Sequence, residues 1–237
     1  MTREFYDIIS PHYSRDRYLS GVTNAVQYSY AKRLNIVRAF VGRALDGVRD
    51  AHILDIGTAD GYVLRHVYDD NSSAIEVMVG NDIAPKMLVE ARNQSEGYPV
   101  VFVLRGQEPS GQYDLVLEIG VHTHDLDAEL EWIVSHLKPG GCVVLTVANR
   151  DSLFTRMKLT SKPYIGDYHS FNQYEHILMG RFDLVCQRTF GIFIPKLWVL
   201  PLFFARPIQN AAEWISERLI PNAMHERVYL LRLRPRS

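Results

Sequence analysis

Apolar residues recur along this chain in alternating short and long patterns, and the alternation predicts a parallel α/β fold. Ala51–Ile56 is a nearly unbroken apolar run, the density of a strand buried on both faces. A turn follows at Gly57–Gly61, and from Tyr62 the spacing of Val63, Leu64 and Val67 is helical. The cycle then repeats. Ala74–Gly80 reads as a second strand with a helix over Pro85–Arg92, whose proline suits a first helical turn. Val100–Leu104 and Tyr113–Glu118 read as the third and fourth strands. A helix over Leu126–Leu137 ends in the breakers of Lys138-Pro-Gly-Gly141, before a fifth strand at Cys142–Ala148. Phe182–Phe190 and Arg227–Leu233 read as two late strands, with a helix at Ala211–Leu219 between them. Ahead of the first strand, Asn24 to Leu45 reads as a helix with Val26, Ala31, Leu34, Val37, Ala39 and Val41 turned inward.

With 237 residues, one α/β domain can bury its own core. Three parts are expected within it: a helical N-terminal lid over 1–45, a core over 51–149, and late strands with insertions over 150–237. Formal charge is −1 but unevenly spread: Lys+Arg against Asp+Glu is 8 to 5 over residues 1–50, 5 to 15 over 51–149, and 13 to 7 over 150–237. An acidic centre suits a cationic small ligand and argues against nucleic acid there. Cys142 and Cys186 each fall in a predicted strand and have no metal-ligand or disulfide spacing. The start of the chain is too polar for a secretory signal, and its most apolar run, Leu197 to Ala205, is short and broken by Pro201. The expectation is a cytoplasmic protein, monomeric or homodimeric.

The candidate chemistry gathers where strands end. Strand, glycine turn and helix bring backbone N–H groups and a helix N-terminus up to a ligand. The next strand-end carboxylate, Asp82, lies 82 − 61 = 21 positions after Gly61, the spacing for an acceptor of ribose hydroxyls. A nicotinamide-dinucleotide loop needs G-x-G-x-x-G, and this one reads G-x-x-x-G.

The loop resembles the first motif of the class I S-adenosylmethionine-dependent methyltransferases, [DE]-x-G-x-G-x-G: Asp55, Gly57 and Gly61 match, with Ala59 at the middle glycine. Lys138-Pro-Gly-Gly141 before a strand is similar to a second signature of that family. The resemblance, carried from about Ile53 to Asn149, implies a Rossmann-like doubly wound sheet of seven strands, the last antiparallel. It also implies S-adenosylmethionine as cofactor. Carried residue by residue, it implies cofactor contacts at Tyr13, Asp55, Gly57, Thr58, Ala59, Gly61, Asp82, Ile83 and Glu118, with Gln107 and Glu108 both open for the adenine amino group. Tyr13 would act from the N-terminal lid. A looser similarity to ubiquinone-type O-methyltransferases covers Asn149 to Phe171.

The expectation is methyl transfer to a small-molecule acceptor, with oxygen the favoured atom, and, since the sequence has no metal cluster resembling that of the catechol-type members, without a metal. A non-catalytic nucleoside-binding protein of the same fold is the alternative. His122, His124 and His169 fall in loops expected at the cofactor face, and His122 and His169 are the candidates for general base. Residues 191–207 are too apolar for a solvated loop, and their prolines argue against one long helix. They are expected to wall an apolar or aromatic acceptor together with Tyr13, Tyr18, Tyr164, Tyr168 and Phe171. Dimer contact, membrane-surface contact and plain packing on the sheet are the alternatives.

Overall fold

A computed structural model describes residues 3–19, 21–121, 125–157, 168–192 and 194–235. Its centre is one seven-stranded sheet: β1 (Ala51–Ile56), β2 (Ile75–Asp82), β3 (Val100–Leu104), β4 (Tyr113–Glu118), β5 (Leu137–Ala148), β6 (Phe182–Phe190) and β7 (Glu226–Leu233). The order is β3-β2-β1-β4-β5-β7-β6, with β1 to β5 parallel and β7 antiparallel to both neighbours. Eight helices are described around it: α1 (Arg3–Ile9), α2 (Ala25–Ala44), α3 (Tyr62–Asn71), α4 (Pro85–Gln94), α5 (Leu126–His136), α6 (Leu153–Arg156), α7 (Phe171–Leu178) and α8 (Leu202–Leu219). The expected doubly wound, Rossmann-like sheet is therefore the observed one.

Alternation within the strands explains the two apolar layers. Ile53 of β1 packs with Val37 and Val41 of α2 and Leu64 of α3. Its neighbour Leu54 faces the opposite layer, with Leu130 of α5 and Phe171 of α7. A strand covered on both faces must be apolar at every position, which is why β1 reads as a continuous run.

Several boundaries differ from expectation. β5 starts at Leu137 rather than Cys142, because Leu137 pairs with Tyr113 and a register shift lets the Lys138-Pro-Gly-Gly141 segment bulge within the ladder. The inward face of α2 is Tyr28, Arg33, Leu34, Ile36, Val37, Phe40 and Val41, whereas Val26 and Ala39 are exposed. α8 begins at Leu202, nine positions before the expected Ala211, and runs through Pro207. A proline this early in the helix forgoes one backbone bond, and the remaining turns carry the helix through it.

One charge sits inside the apolar stripe of α2. Arg33 donates from Nε to Glu226 Oε2 at 2.8 Å and from Nη2 to both carboxylate oxygens at 2.6 Å, tying α2 to the first residue of β7. Burial alone would lower the Arg33 pKa, but Glu226, with Tyr30 and Tyr18, outweighs it and carries the value above the ordinary range. Removing one member of such a pair strands a buried charge. Glu226→Ala should therefore cost about 3–5 kcal/mol in denaturant titration, and the double variant Arg33→Met/Glu226→Leu should recover most of it. A single variant as stable as the parent would mean the pair is solvated.

Candidate functional site

The cleft lies where the strand order reverses, beyond the carboxyl ends of β1 and β4, the usual ligand crevice of an open α/β sheet. Its wall is made by Tyr13, Tyr18, Arg33, Asp55, Gly57 to Asp60, Tyr62, Val63 and Ile119. Five expected residues, Tyr13, Asp55, Gly57, Thr58 and Ala59, thus line one space. Gly61 closes the same turn as the N-cap of α3, in the left-handed conformation.

The end of β2 holds the loop in shape. Asn81 accepts the Gly57 N–H at 3.2 Å through its side chain and the Thr58 N–H at 2.8 Å through its carbonyl. Asp82 accepts from Ala59 N–H at 3.0 Å and from Ala84 N–H at 2.8 Å. Asn81 also donates to Glu108 at 2.6 Å, which draws the β3 loop to the same corner. Of the two residues left open there, Glu108 is engaged with Asn81 and Gln107 is exposed. Ile83 is half exposed beside them, where an apolar side chain can cover a flat ring.

Glycine is required in this loop by the protein's own atoms. Gly57 has φ +65°, and a Cβ there would stand 2.6 Å from Val121 Cγ2. Gly61 has φ +74°, and a Cβ would meet Phe102 Cζ at 2.9 Å. Ala59 replaces a glycine yet keeps a φ of +51°, a conformation that costs an L-residue on the order of 1–2 kcal/mol.

Two buried carboxyls face the crevice end of the sheet. Burial pushes Asp55 up to about 7, with the charge of Asp82 adding to it. Burial likewise pushes Glu118 up to about 8, with Glu129 adding and Arg105 opposing. The Thr58 hydroxyl lies near enough to Asp55 to favour its ionised form, but it is buried with no hydrogen bond of acceptable geometry. A wall with an unmet hydroxyl and the buried carboxyl of Asp55 fits a ligand that carries polar atoms, and a cationic one would draw Asp55 toward its ionised form.

The N-terminal segment sits over this cleft. Tyr6, Ile9 and Tyr13 pack on Ala59, Ala84 and Met87. Ser14 donates its N–H and its hydroxyl to Asp60, at 3.1 Å and 2.6 Å. Asp7 accepts from the Lys86 N–H at 3.0 Å, supplying the cap that the first turn of α4 lacks in its own side chains. With the segment seated, the cleft retains about 20 Å³, room for a water or so.

Behind Arg33 is a second space of about 310 Å³, lined by Ala25, Val26, Ser29, Tyr30, Phe154, Gly191, Ile192, Gln209, His225 and Glu226. Arg33 lines both spaces, and its Nη1 would lie 2.9 Å from a Cβ at Gly120, so it stands at the end of β4. Among the described residues of 191–207, only Gly191 and Ile192 line this cavity. Trp198 packs on Tyr28, and Phe203 and Phe204 face outward. Tyr168 and Phe171 are buried, Phe171 in the apolar layer under α7. His169 sets its ring edge-on to Tyr174 and lines neither space. His122, His124 and Tyr164 lie outside the described residues.

Sequence reasoning missed Asn81, Asp60, Arg33 and His225. Arg33 had a signal: a charge on the stripe shared with Val37, four residues on. Nothing in the spacing around His225 set it apart.

Comparison with known proteins agrees with this geometry. A model of the methyltransferase domain family matches residues 28–184, and the chain belongs to that family. The C(15)-methyltransferase (decarboxylating) of cobalt-precorrin-6B from Salmonella typhimurium is 29% identical over 125 residues. That match spans 51% of this chain and 64% of the relative, so the chain covers under two thirds of the relative's length. The S-adenosylmethionine-dependent methyltransferase of Thiobacillus denitrificans, solved with S-adenosylhomocysteine, aligns with a TM-score of 0.59 at 16% identity over 100% of this chain and 99% of that one. The N-methyltransferase NodS of Bradyrhizobium japonicum, also with S-adenosylhomocysteine, gives 0.58 at 13% identity over 86% and 87%. A chain of the complex containing the Haloferax volcanii Trm112 methyltransferase activator gives 0.66 at 16% over 100% and 99%. The cofactor is S-adenosylmethionine.

Two outcomes follow. Ala59→Gly should relieve the left-handed strain and raise stability by up to about 1 kcal/mol, read from chemical denaturation; a loss would show the strain is already absorbed. The second concerns pH. A cationic cofactor favours ionised carboxyls, so affinity should rise about tenfold between about pH 6 and pH 8, and Asp55→Asn should flatten that profile in calorimetry. The unliganded fold should weaken over the range from the ordinary carboxylate pKa up to these raised values, because the unfolded chain ionises first. A flat affinity profile in the parent protein would exclude Asp55 from cofactor contact.

Proposed function

We propose that this chain transfers a methyl group to an oxygen of a small apolar or aromatic acceptor held in the cavity behind Arg33, without a metal. The observation that carries the reading is the shared wall: one side chain, Arg33, borders both the cofactor cleft and the larger space. S-adenosylmethionine, when bound, supplies an electrophilic methyl on a sulfonium. Asp55 then faces the cationic end of the cofactor, Asp82 accepts from the ribose hydroxyls, and Glu108 or Gln107 meets the adenine amino group. Tyr13, Tyr18 and Tyr62 exclude water from above. Glu226 neutralises Arg33, so the guanidinium adds no unpaired positive charge beside the sulfonium.

Methyl transfer is in-line displacement, and positioning two reactants accounts for about 7–11 kcal/mol of such a barrier. The remaining need is a base for the hydroxyl proton. We assign it to His225 in preference to His169, because His225 lines the cavity and His169 does not. Phe154 packs on the His225 ring with centroids 4.8 Å apart, and Ser152 Oγ lies 3.4 Å from Nδ1. Neighbours of this fold include an N-methyltransferase and the [4+2]-cyclase SpnF, so fold alone does not choose the reaction. A non-catalytic binder is the second reading, favoured by the strained Ala59 and the tightly seated lid.

His225→Gln should lower kcat about 100- to 10,000-fold with cofactor affinity unchanged, and Val26→Trp should raise the acceptor's KM by filling the cavity mouth. Cofactor binding without turnover over a broad panel of phenols and alcohols would favour the second reading. An unchanged kcat in the His225 variant would remove the assigned base.

A further inference from the structure

Ten of the nineteen large apolar side chains exposed among the described residues fall within residues 199–220, so the exposed apolar surface is concentrated there. Its cause is the way α8 is turned. At about 100° per residue, Ala205, Gln209, Glu213 and Ser216 share one side of the helix, and that side is buried. The burial is polar: Glu213 accepts from Gly191 N–H and Ile192 N–H at 3.0 Å and Gln209 donates to the Ile192 carbonyl at 2.8 Å, while Gln209 Oε1 has no partner among the described residues. The exposed apolar side chains cover the rest of the helix: Phe203, Trp214 and Phe204 lie across from the buried side with Arg218 between Trp214 and Phe204, and Ile208, Ile215 and Leu219 continue round one flank. A surface helix ordinarily points its apolar stripe inward, and this one does the reverse.

The charges around this outward face share one sign. Lys196, Arg206 and Arg218 are exposed and have no carboxylate partner among the described residues, while Glu217 is held by Arg188 at 2.5 Å. The Arg218 guanidinium lies 3.9 Å above the Trp214 ring, folded along the apolar face with its charge available at the edge. A second copy of the chain seated here would set these cations against their own kind. An anionic lipid surface satisfies both the apolar face and the basic rim. No helix among the described residues is long and apolar enough to cross a membrane, so the contact would lie in the plane of the interface.

We propose that α8, with the turn at Val199 and Leu200 before it, docks this protein on an anionic membrane surface, Phe203 and Phe204 entering the boundary between headgroups and acyl chains. Flotation with phosphatidylcholine vesicles, with and without phosphatidylglycerol, tests it on the whole chain. The parent protein should float with the anionic vesicles and several-fold less with the neutral ones. Phe203→Asp/Phe204→Asp should weaken partition at least about tenfold, with melting temperature and S-adenosylmethionine affinity unchanged. A parent protein that stays unbound to both vesicle types, or a double variant that binds as tightly as the parent, would overturn the proposal. So would sedimentation velocity showing a dimer that the double variant dissolves, which would give the face to a second copy.

Discussion

The buried pair of Arg33 and Glu226 joins residues 193 positions apart in sequence and decides where the spaces of this protein lie. It pins α2 against the start of β7, and the guanidinium ends up between the cofactor cleft and the apolar cavity. Two well-packed apolar residues would hold α2 at least as firmly, since desolvation offsets most of the attraction within a buried pair. What an apolar replacement could not do is present fixed polar atoms to both spaces while remaining neutral overall. The pair is thus better understood as a partition than as a source of stability.

On the cleft side, the glycine turn is stabilised internally before any ligand arrives. Asn81 and Asp82 take up the N–H groups of Gly57, Thr58 and Ala59. The loop therefore does not offer a cradle of free amides to a phosphate, as a dinucleotide loop does. It offers the buried carboxyl of Asp55, which a cationic ligand would draw into its ionised form, beside an unmet hydroxyl at Thr58. The segment over it is latched by short polar contacts at Asp7 and Ser14, both of which can break without opening the apolar layers of the sheet.

Much of this was legible along the chain. A strand covered on both faces has to be apolar throughout, so β1 and the strands beside it announce themselves, and the turn from Gly57 to Gly61 marks where the first helix begins. Asp82 was readable from its distance to that turn. The failures have separate physical causes. Leu137 joins β5 by pairing across a bulge with Tyr113, a contact no local pattern encodes. α8 runs through Pro207, and it hides its polar side, so periodicity identifies a helical face but assigns it the wrong direction. Arg33 and His225 gain their meaning from elements brought together only by the assembled sheet.

A structure with S-adenosylhomocysteine bound tests the central claim most directly. The account predicts its ribose at Asp82, its amino-acid end beside Asp55 and Thr58, and its sulfur directed past Arg33 toward the cavity that holds His225, with residues 3–18 displaced or re-seated. A ligand whose sulfur points away from that cavity, or one bound elsewhere with the Tyr13 segment unmoved, would contradict it.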